Sequence, residues 1–212
     1  MIKEVCVENF TNVPLMIERG ANRIELNNDL SVGGTTPSFG VIKKTVEYAH
    51  KHDVPVVVMI RPRGGNFVYN EDELEVMIND IQICSLLGVD GVTFGCLTRE
   101  KHFDKRAMNR LLSVAHAGTL EVVMHMAFDE LTNAEQKEAI DWLSKNKVKR
   151  ILTHGGPLNQ PISHTIDHLK ELVKQAKNKI EILPGGGITK ANVNKIVEQI
   201  KIKQVHGTKL LG

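Results

Sequence analysis

The sequence predicts an α/β protein of the (β/α)8 TIM-barrel class, a single domain over residues 1–212 with its eighth helix truncated or missing. Three observations carry this. Eight short β-branched or alternating runs recur along the chain, each but the last followed by a segment with helical spacing. The run Pro55-Val56-Val57-Val58-Met59-Ile60 is apolar throughout, as a strand buried on both faces of a parallel sheet requires. Glycine-rich turns close several strands, notably Arg61-Pro62-Arg63-Gly64-Gly65 and Pro184-Gly185-Gly186-Gly187.

The elements follow in order. In Lys3–Glu8 the apolar Val5 and Val7 alternate with Glu4, Cys6 and Glu8, so the two sets face opposite sides of a strand. A short helix runs from about Asn12 to Arg19 and stops at Gly20. Arg23–Asn27 repeats the alternation, with Ile24 and Leu26 opposite Arg23, Glu25 and Asn27. Ser38 is placed to cap a helix over Phe39–Lys51, ahead of the apolar third strand. Glu71–Leu87 carries helical spacing through Leu74, Met77, Ile78 and Ile81 and ends at Gly88. Asp90–Gly95 reads as strand four, Ala107–His116 as a helix and Leu120–Met126 as strand five. Thr132 with Glu135 forms a capping box for the next helix. Lys149–Thr153 is strand six, Ile162–Gln175 a helix and Ile180–Leu183 strand seven. Thr189 is expected to cap the last helix, before strand eight at Lys203–His206. Only Gly207–Gly212 follow, too few for another helix, so the wall beside strand eight is expected to be bare. A homodimer or higher homo-oligomer would cover it.

Composition sets limits on function. Apolar residues make up 42% and charged residues 25%, with a net charge of +2. No basic cluster interleaved with aromatics is present, so nucleic acid is not expected as a partner. No stretch approaches the length of a membrane span, and no signal-peptide pattern opens the chain. Cys6, Cys84 and Cys96 form no CxxC pair, which argues against a disulfide framework or structural zinc. A cytoplasmic location is expected.

With the apolar partners facing the helices, the lumen receives Glu4, Cys6, Glu8, Arg23, Glu25, Asn27, Arg61, Arg63, Thr93, His125 and His206. Buried charge of this kind persists only when paired, so Glu4 or Glu25 is expected to neutralise Arg23 or Arg61. Barrel chemistry sits at strand C-termini, which singles out Glu8, Asn27, Arg61, Arg63, His125, Asp129, His154 and His206. Arg61 and Arg63, two apart at a strand end, are expected to converge as an anion clamp; an internal salt-bridge layer is the alternative. Gly185, Gly186 and Gly187, expected to open a helix, would add backbone N–H donors for an anion; a plain tight turn is the alternative. His125 reads as a general base, a metal ligand or a satisfied core histidine, the last being the commonest outcome for a single histidine.

Glu4-Val5-Cys6-Val7, Arg23-Ile24-Glu25-Leu26, Gly33-Gly34-Thr35-Thr36-Pro37-Ser38, the Arg61–Gly65 block, Ala127-Phe128-Asp129, Arg150–Thr153 and Pro184–Ile188 together resemble the CutC copper homeostasis family, from Met1 to about His206. The resemblance implies a barrel, a cytoplasmic location and a link to copper tolerance and Cu(I) binding. It also marks departures. Asn27 stands where the family usually has cysteine, Met126 where it has arginine, and His154 where it commonly has serine. One soft ligand and one cation are thereby lost from the mouth, leaving Cys6 as the candidate copper ligand. Two functions are therefore expected in parallel: a Cu(I)-binding homeostasis protein, or a barrel enzyme acting on a small anionic or phosphorylated substrate. In the second, Arg61 and Arg63 hold the anion, Glu25 or Asp129 is acid or base, and His125 shuttles a proton.

Overall fold

The computed structural model describes residues 1–212. Its eight parallel strands are β1 (Ile2–Glu8), β2 (Arg23–Asn27), β3 (Val56–Met59), β4 (Gly91–Phe94), β5 (Glu121–Met124), β6 (Arg150–Thr153), β7 (Glu181–Pro184) and β8 (Gln204–Gly207). They hydrogen-bond in the order β7-β6-β5-β4-β3-β2-β1-β8, so the first and last strands pair and the sheet curls into a barrel. No ladder joins β7 to β8, and that seam is the one break in the ring. Seven helices cover the outside: α1 (Val13–Glu18), α2 (Phe39–His50), α3 (Glu71–Leu86), α4 (Lys105–Ala117), α5 (Asn133–Lys145), α6 (Ile166–Ala176) and α7 (Val193–Ile200). The eighth is absent, as the sequence predicts.

Strand alternation sorts the side chains. Val5, Val7, Ile24, Leu26, Val58 and Ile60 point outward and join Ile42, Met77, Ile81, Leu111 and Ile140 of the helices in the main core. Inside the barrel a separate apolar cluster forms from Val57, Val123, Leu152 and Leu183, with Met126 against it. The register places Glu4 beside Arg23 and Cys6 beside Glu25 on β1 and β2, and Glu4 beside His206 on β1 and β8. Ser38 caps α2 by accepting from Val41 N, and the Thr132–Glu135 capping box is formed.

Two expectations are corrected here. Thr189 caps no helix: α7 begins only at Val193, and Asn192 instead ties the preceding turn, its Oδ1 accepting from Thr189 N (2.8 Å) and its Nδ2 donating to Gly187 O (2.9 Å). The wall beside β8 is not bare. Leu210 and Leu211, 1% and 8% exposed, fold back into the main core, and Lys209 bridges to Thr189. A two-residue apolar pair therefore does the covering that the missing helix would have done.

Candidate functional site

The site is built from β1, β2 and β8 upward. Glu4 receives Nε of Arg23 on one side and faces Nδ1 of His206 (2.7 Å) on the other. Arg23 also donates to Oε1 of Gln204 (2.9 Å), and Nε2 of Gln204 donates to Glu181 (3.0 Å). The expected neutralisation is thus Glu4 with Arg23. Burial alone would raise the Glu4 carboxyl, but the hydrogen bond and charge of His206, with Arg23, outweigh it and hold the pKa at about 2. Burial likewise opposes charge on His206, yet Glu25 and Glu4 together raise its pKa above the usual imidazole value.

One level higher lies a compact triad. A ligand atom of each of Cys6, Glu25 and His206 lies within 4.8 Å of the others, and all three residues are buried. Nε2 of His206 stands 3.7 Å from Oε2 of Glu25. The Asn27 amide donates to that same Oε2 (2.9 Å) and to Sγ of Cys6 (3.3 Å). Burial raises the Glu25 carboxyl, with the Glu4 charge adding to it. Burial and then the Glu25 charge push the Cys6 thiol well above its ordinary value. As a donor set for Cu(I) this is one sulfur and one imidazole beside a hard carboxylate, and the shifts on Cys6 and His206 both favour their protonated forms. It fits a weak mixed site and no more. Cys84 and Cys96 are buried elsewhere and do not complete it.

Above the triad a cavity of about 260 Å³ opens at the barrel mouth. Cys6, Glu25, Asn27 and His206 form its floor; Met59, Arg61, Phe67, His125, Met126, Leu152, Leu158 and Val32 form its walls. Nδ1 of His125 accepts from Ala127 N (3.2 Å), which places the ring proton of the neutral form on Nε2. Burial and then the Arg61 charge depress the His125 pKa to about 3, so the ring is neutral. The ring packs on Phe67, centroids 4.8 Å apart.

The predicted arginine clamp does not converge. Arg61 turns into the mouth, where it donates to Val32 O and Gly34 O (3.0 Å each) and Gly65 O (2.6 Å) and lies over Phe67. Arg63 leaves in the other direction, pairs with Glu73 of α3 and lies over Tyr69. The strand ends at Met59, so the alternation that would put both arginines on one side no longer applies. Nor do Gly185–Gly187 open a helix. The carbonyls of Gly185 and Gly186 both face Nδ1 of His154 at 3.1 Å, and Gly185 N donates to Thr153 O (2.9 Å). Asp129 stays outside the cavity, accepting from Thr153 Oγ1, His154 N (2.9 Å) and Gly155 N (3.2 Å). Glu8 is exposed and accepts from Leu30 N (2.9 Å). The wall residues Phe67, Leu152 and Leu158 escaped the sequence reading. Phe67 and Leu158 lie in loops without periodicity, and the role of Phe67 shows only in its packing against Arg61 and His125.

A nearly closed parallel barrel with buried polar groups gathered at its C-terminal mouth defines a (β/α)8 barrel protein whose site is in the usual place for that fold. Within that class the chain belongs to the CutC family, whose sequence pattern matches residues 1–211. It is 51% identical to the family protein CutC of Enterococcus faecalis over the full length of both chains. It is 38% identical to the human copper homeostasis protein cutC homolog, covering 97% of this chain and 72% of that protein. The crystal structure of CutC from Streptococcus agalactiae superposes with a TM-score of 0.95 at 43% identity, covering 99% of each chain. Likeness to a deoxyribose phosphate aldolase from Aeropyrum pernix (TM-score 0.72, 12% identity, 99% of this chain and 87% of that one) extends to the fold alone.

Proposed function

We propose that the protein serves in copper homeostasis, in the cytoplasm, and that it meets Cu(I) at Cys6 and His206. Family membership supports the role, because the human relative is named for copper homeostasis. The observation that carries the site is the buried Cys6–Glu25–His206 triad. Cu(I) is cargo in this reading. Cys6 offers its sulfur and His206 its Nε2, and Glu25 stands ready to take a proton as either donor is freed. Three unpaired cysteines suit a reducing compartment, and no helix is long and apolar enough to cross a membrane. The test is an anaerobic competition titration against a Cu(I) chelator on wild type and Cys6→Ser. Weak binding that Cys6→Ser abolishes supports the site; tight binding that survives the substitution removes it.

A second reading is favoured by one specific observation: Nε of Arg61 and Nε2 of His125 are buried N–H donors with no hydrogen-bond partner, and both residues line the mouth cavity. Buried donors of this kind call for a partner. The barrel is then a small-molecule protein or enzyme whose ligand carries acceptor oxygens, with Arg61 and His125 as recognition residues and Glu25 as acid or base. Arg63, Asp129 and Gly185–Gly187 are left as supports of the mouth loops. Inorganic phosphate or sulfate soaked into crystals tests it. An anion resting on Arg61 supports this reading. The protein is further proposed to self-associate across the β7–β8 seam, where Ile2, Ile180, Ile202 and neighbouring lysines line a groove of about 730 Å³; sedimentation as a stable monomer at micromolar concentration removes that element.

A further inference from the structure

Each ligand group of the Cys6–Glu25–His206 triad is held by a neighbour. Nδ1 of His206 lies 2.7 Å from Oε1 of Glu4, a carboxylate that is also paired with Arg23. In the deprotonated ring that a metal requires, this contact keeps the remaining proton on Nδ1. The Nε2 lone pair is then left beside the triad, 3.7 Å from Oε2 of Glu25. The amide of Asn27 donates to that Oε2 (2.9 Å) and to Sγ of Cys6 (3.3 Å), so one side chain orients the other two ligands. A carboxylate behind a histidine, and a hydrogen bond on a ligating carboxylate, are what set ligand direction in metal centres.

Charge then selects the ion. Glu4 is balanced by Arg23 and adds no net charge to the centre. The ligands themselves, once metal-bound, are one thiolate, one carboxylate and one neutral imidazole, two negative charges in all. A dication cancels both. A monovalent ion leaves one buried negative charge over, or binds without Glu25 as a ligand. Donor type agrees, because sulfur, nitrogen and oxygen together suit the borderline ion Zn²⁺. So does geometry: ligands at about 2.0–2.3 Å from a tetrahedral Zn²⁺ stand roughly 3.3–3.6 Å from one another. Nε2 and Oε2 are 3.7 Å apart, and all three ligand atoms lie within 4.8 Å of one another, so small side-chain movements close the site. Three protein donors leave the fourth tetrahedral position unfilled by the chain, as in catalytic rather than structural zinc sites. All three residues line the mouth cavity of about 260 Å³.

We propose that the triad is a site for a borderline divalent cation, Zn²⁺, held by Sγ of Cys6, the Glu25 carboxylate and Nε2 of His206. The fourth position is open to water or to a ligand oxygen in the mouth cavity. This rests on the metal-binding reading of the triad and changes two things in it. The ion carries two charges, and Glu25 is a ligand rather than a proton acceptor. Glu4 and Asn27 are positioning residues, and binding releases to solvent the protons that the ligands hold.

Anaerobic titration of the full chain with Zn²⁺ against a chromophoric chelator measures the affinity, and Co²⁺ in place of zinc reports the donors. One Zn²⁺ per chain with a Kd below about 1 μM is expected. Co²⁺ is expected to show a sulfur-to-metal charge-transfer band and the intense visible bands of a four-coordinate ion. Cys6→Ser and Glu25→Gln are each expected to weaken Zn²⁺ at least tenfold, and Cys6→Ser to remove the charge-transfer band. X-ray absorption at the zinc edge of the wild-type complex keeps the test decisive should either variant not fold. One sulfur at about 2.3 Å with nitrogen and oxygen at about 2.0 Å is expected there. Absence of Zn²⁺ binding, an affinity unchanged in either variant, or a zinc edge without sulfur overturns the proposal. Cu(I) binding without Zn²⁺ binding overturns it while sustaining the Cu(I) reading. Zn²⁺ binding that both variants weaken, with no Cu(I) binding, sustains it and removes that reading. Failure of both ions to bind overturns both.

Discussion

On the β3, β5, β6 and β7 side of the barrel interior, Val57, Val123, Leu152 and Leu183 close on one another as aliphatic side chains do in any core. On the β8, β1 and β2 side, the same depth is filled by Glu4, Arg23, Glu25 and His206, linked through Gln204 and Asn27. The apolar half is held by shape and by area removed from water, and a change there costs in proportion to the volume lost. The polar half is held by balance. Each buried charge there is tolerable only while its partner is present, so a change costs according to what is left unpaired. The candidate site sits where the two halves meet.

The comparison can be broken most directly at Glu4. Glu4→Gln leaves Arg23 and His206 buried without their carboxylate, and the expected loss is about 3–5 kcal/mol in urea denaturation. A loss under ~1 kcal/mol would mean the polar half is not balanced around Glu4. In the apolar half Leu183→Ala, at a fully buried position, is expected to cost about 2–4 kcal/mol. The loss there should be insensitive to pH between 5 and 9, and a strongly pH-dependent loss would show that the halves are coupled. At the boundary, Asn27→Cys restores a second sulfur beside Cys6 and is expected to tighten Cu(I) by more than tenfold, about 1.4 kcal/mol. The chelator competition described above measures it, and an unchanged affinity means Cys6 is not a ligand.

The smallest effect per unit of the variable is acid sensitivity. The folded pKa of His125 lies at about 3, below the unfolded value of 6.5, so the native state binds fewer protons than the unfolded chain between those limits. Stability from this group is complete above pH 6.5 and declines as pH falls toward 3, by at most about 1.4 kcal/mol per pH unit. His125→Asn removes that slope. His206 acts in the opposite sense. Its raised pKa contributes stability that is full below pH 6.5 and lost as pH rises through the folded value. Chemical denaturation of wild type and both single variants (His125→Asn and His206→Gln) from pH 4 to 9 separates the two. Parallel pH profiles for all three proteins would dismiss both assignments.

The barrel was legible because its strands are short β-branched runs, and the alternation in Lys3–Glu8 and Arg23–Asn27 was enough to place Glu4, Cys6, Arg23, Glu25 and Asn27 in the lumen. Alternation fails where a strand stops. Arg61 and Arg63 were placed together by a periodicity that ends at Met59, and the chain then turned one inward and the other onto Glu73. Capping was ambiguous for a similar reason: Thr189 and Asn192 are both good capping types, and only the turn they form together shows where α7 begins. The tail carried no signal at all, since Leu210 and Leu211 are too few to show a period. Much of the cavity wall, from Val32, Phe67, Met126 and Leu158, comes from loops and single 3-10 turns between strand and helix, whose course follows from packing against the finished barrel.

One ladder joins the first strand of the barrel to the last. Ile2 pairs with Gln204 and Glu4 with His206. A ribosome adding 5–20 residues per second therefore exposes β1 for roughly 10–40 s before its outer neighbour exists. Until then Glu4 has Arg23 as its single cationic partner, and the edge of β1 that will receive β8 is an open template for strands of other nascent chains. The same pairing that completes the polar half thus makes the arrival of β8 the event that commits the barrel to its native state.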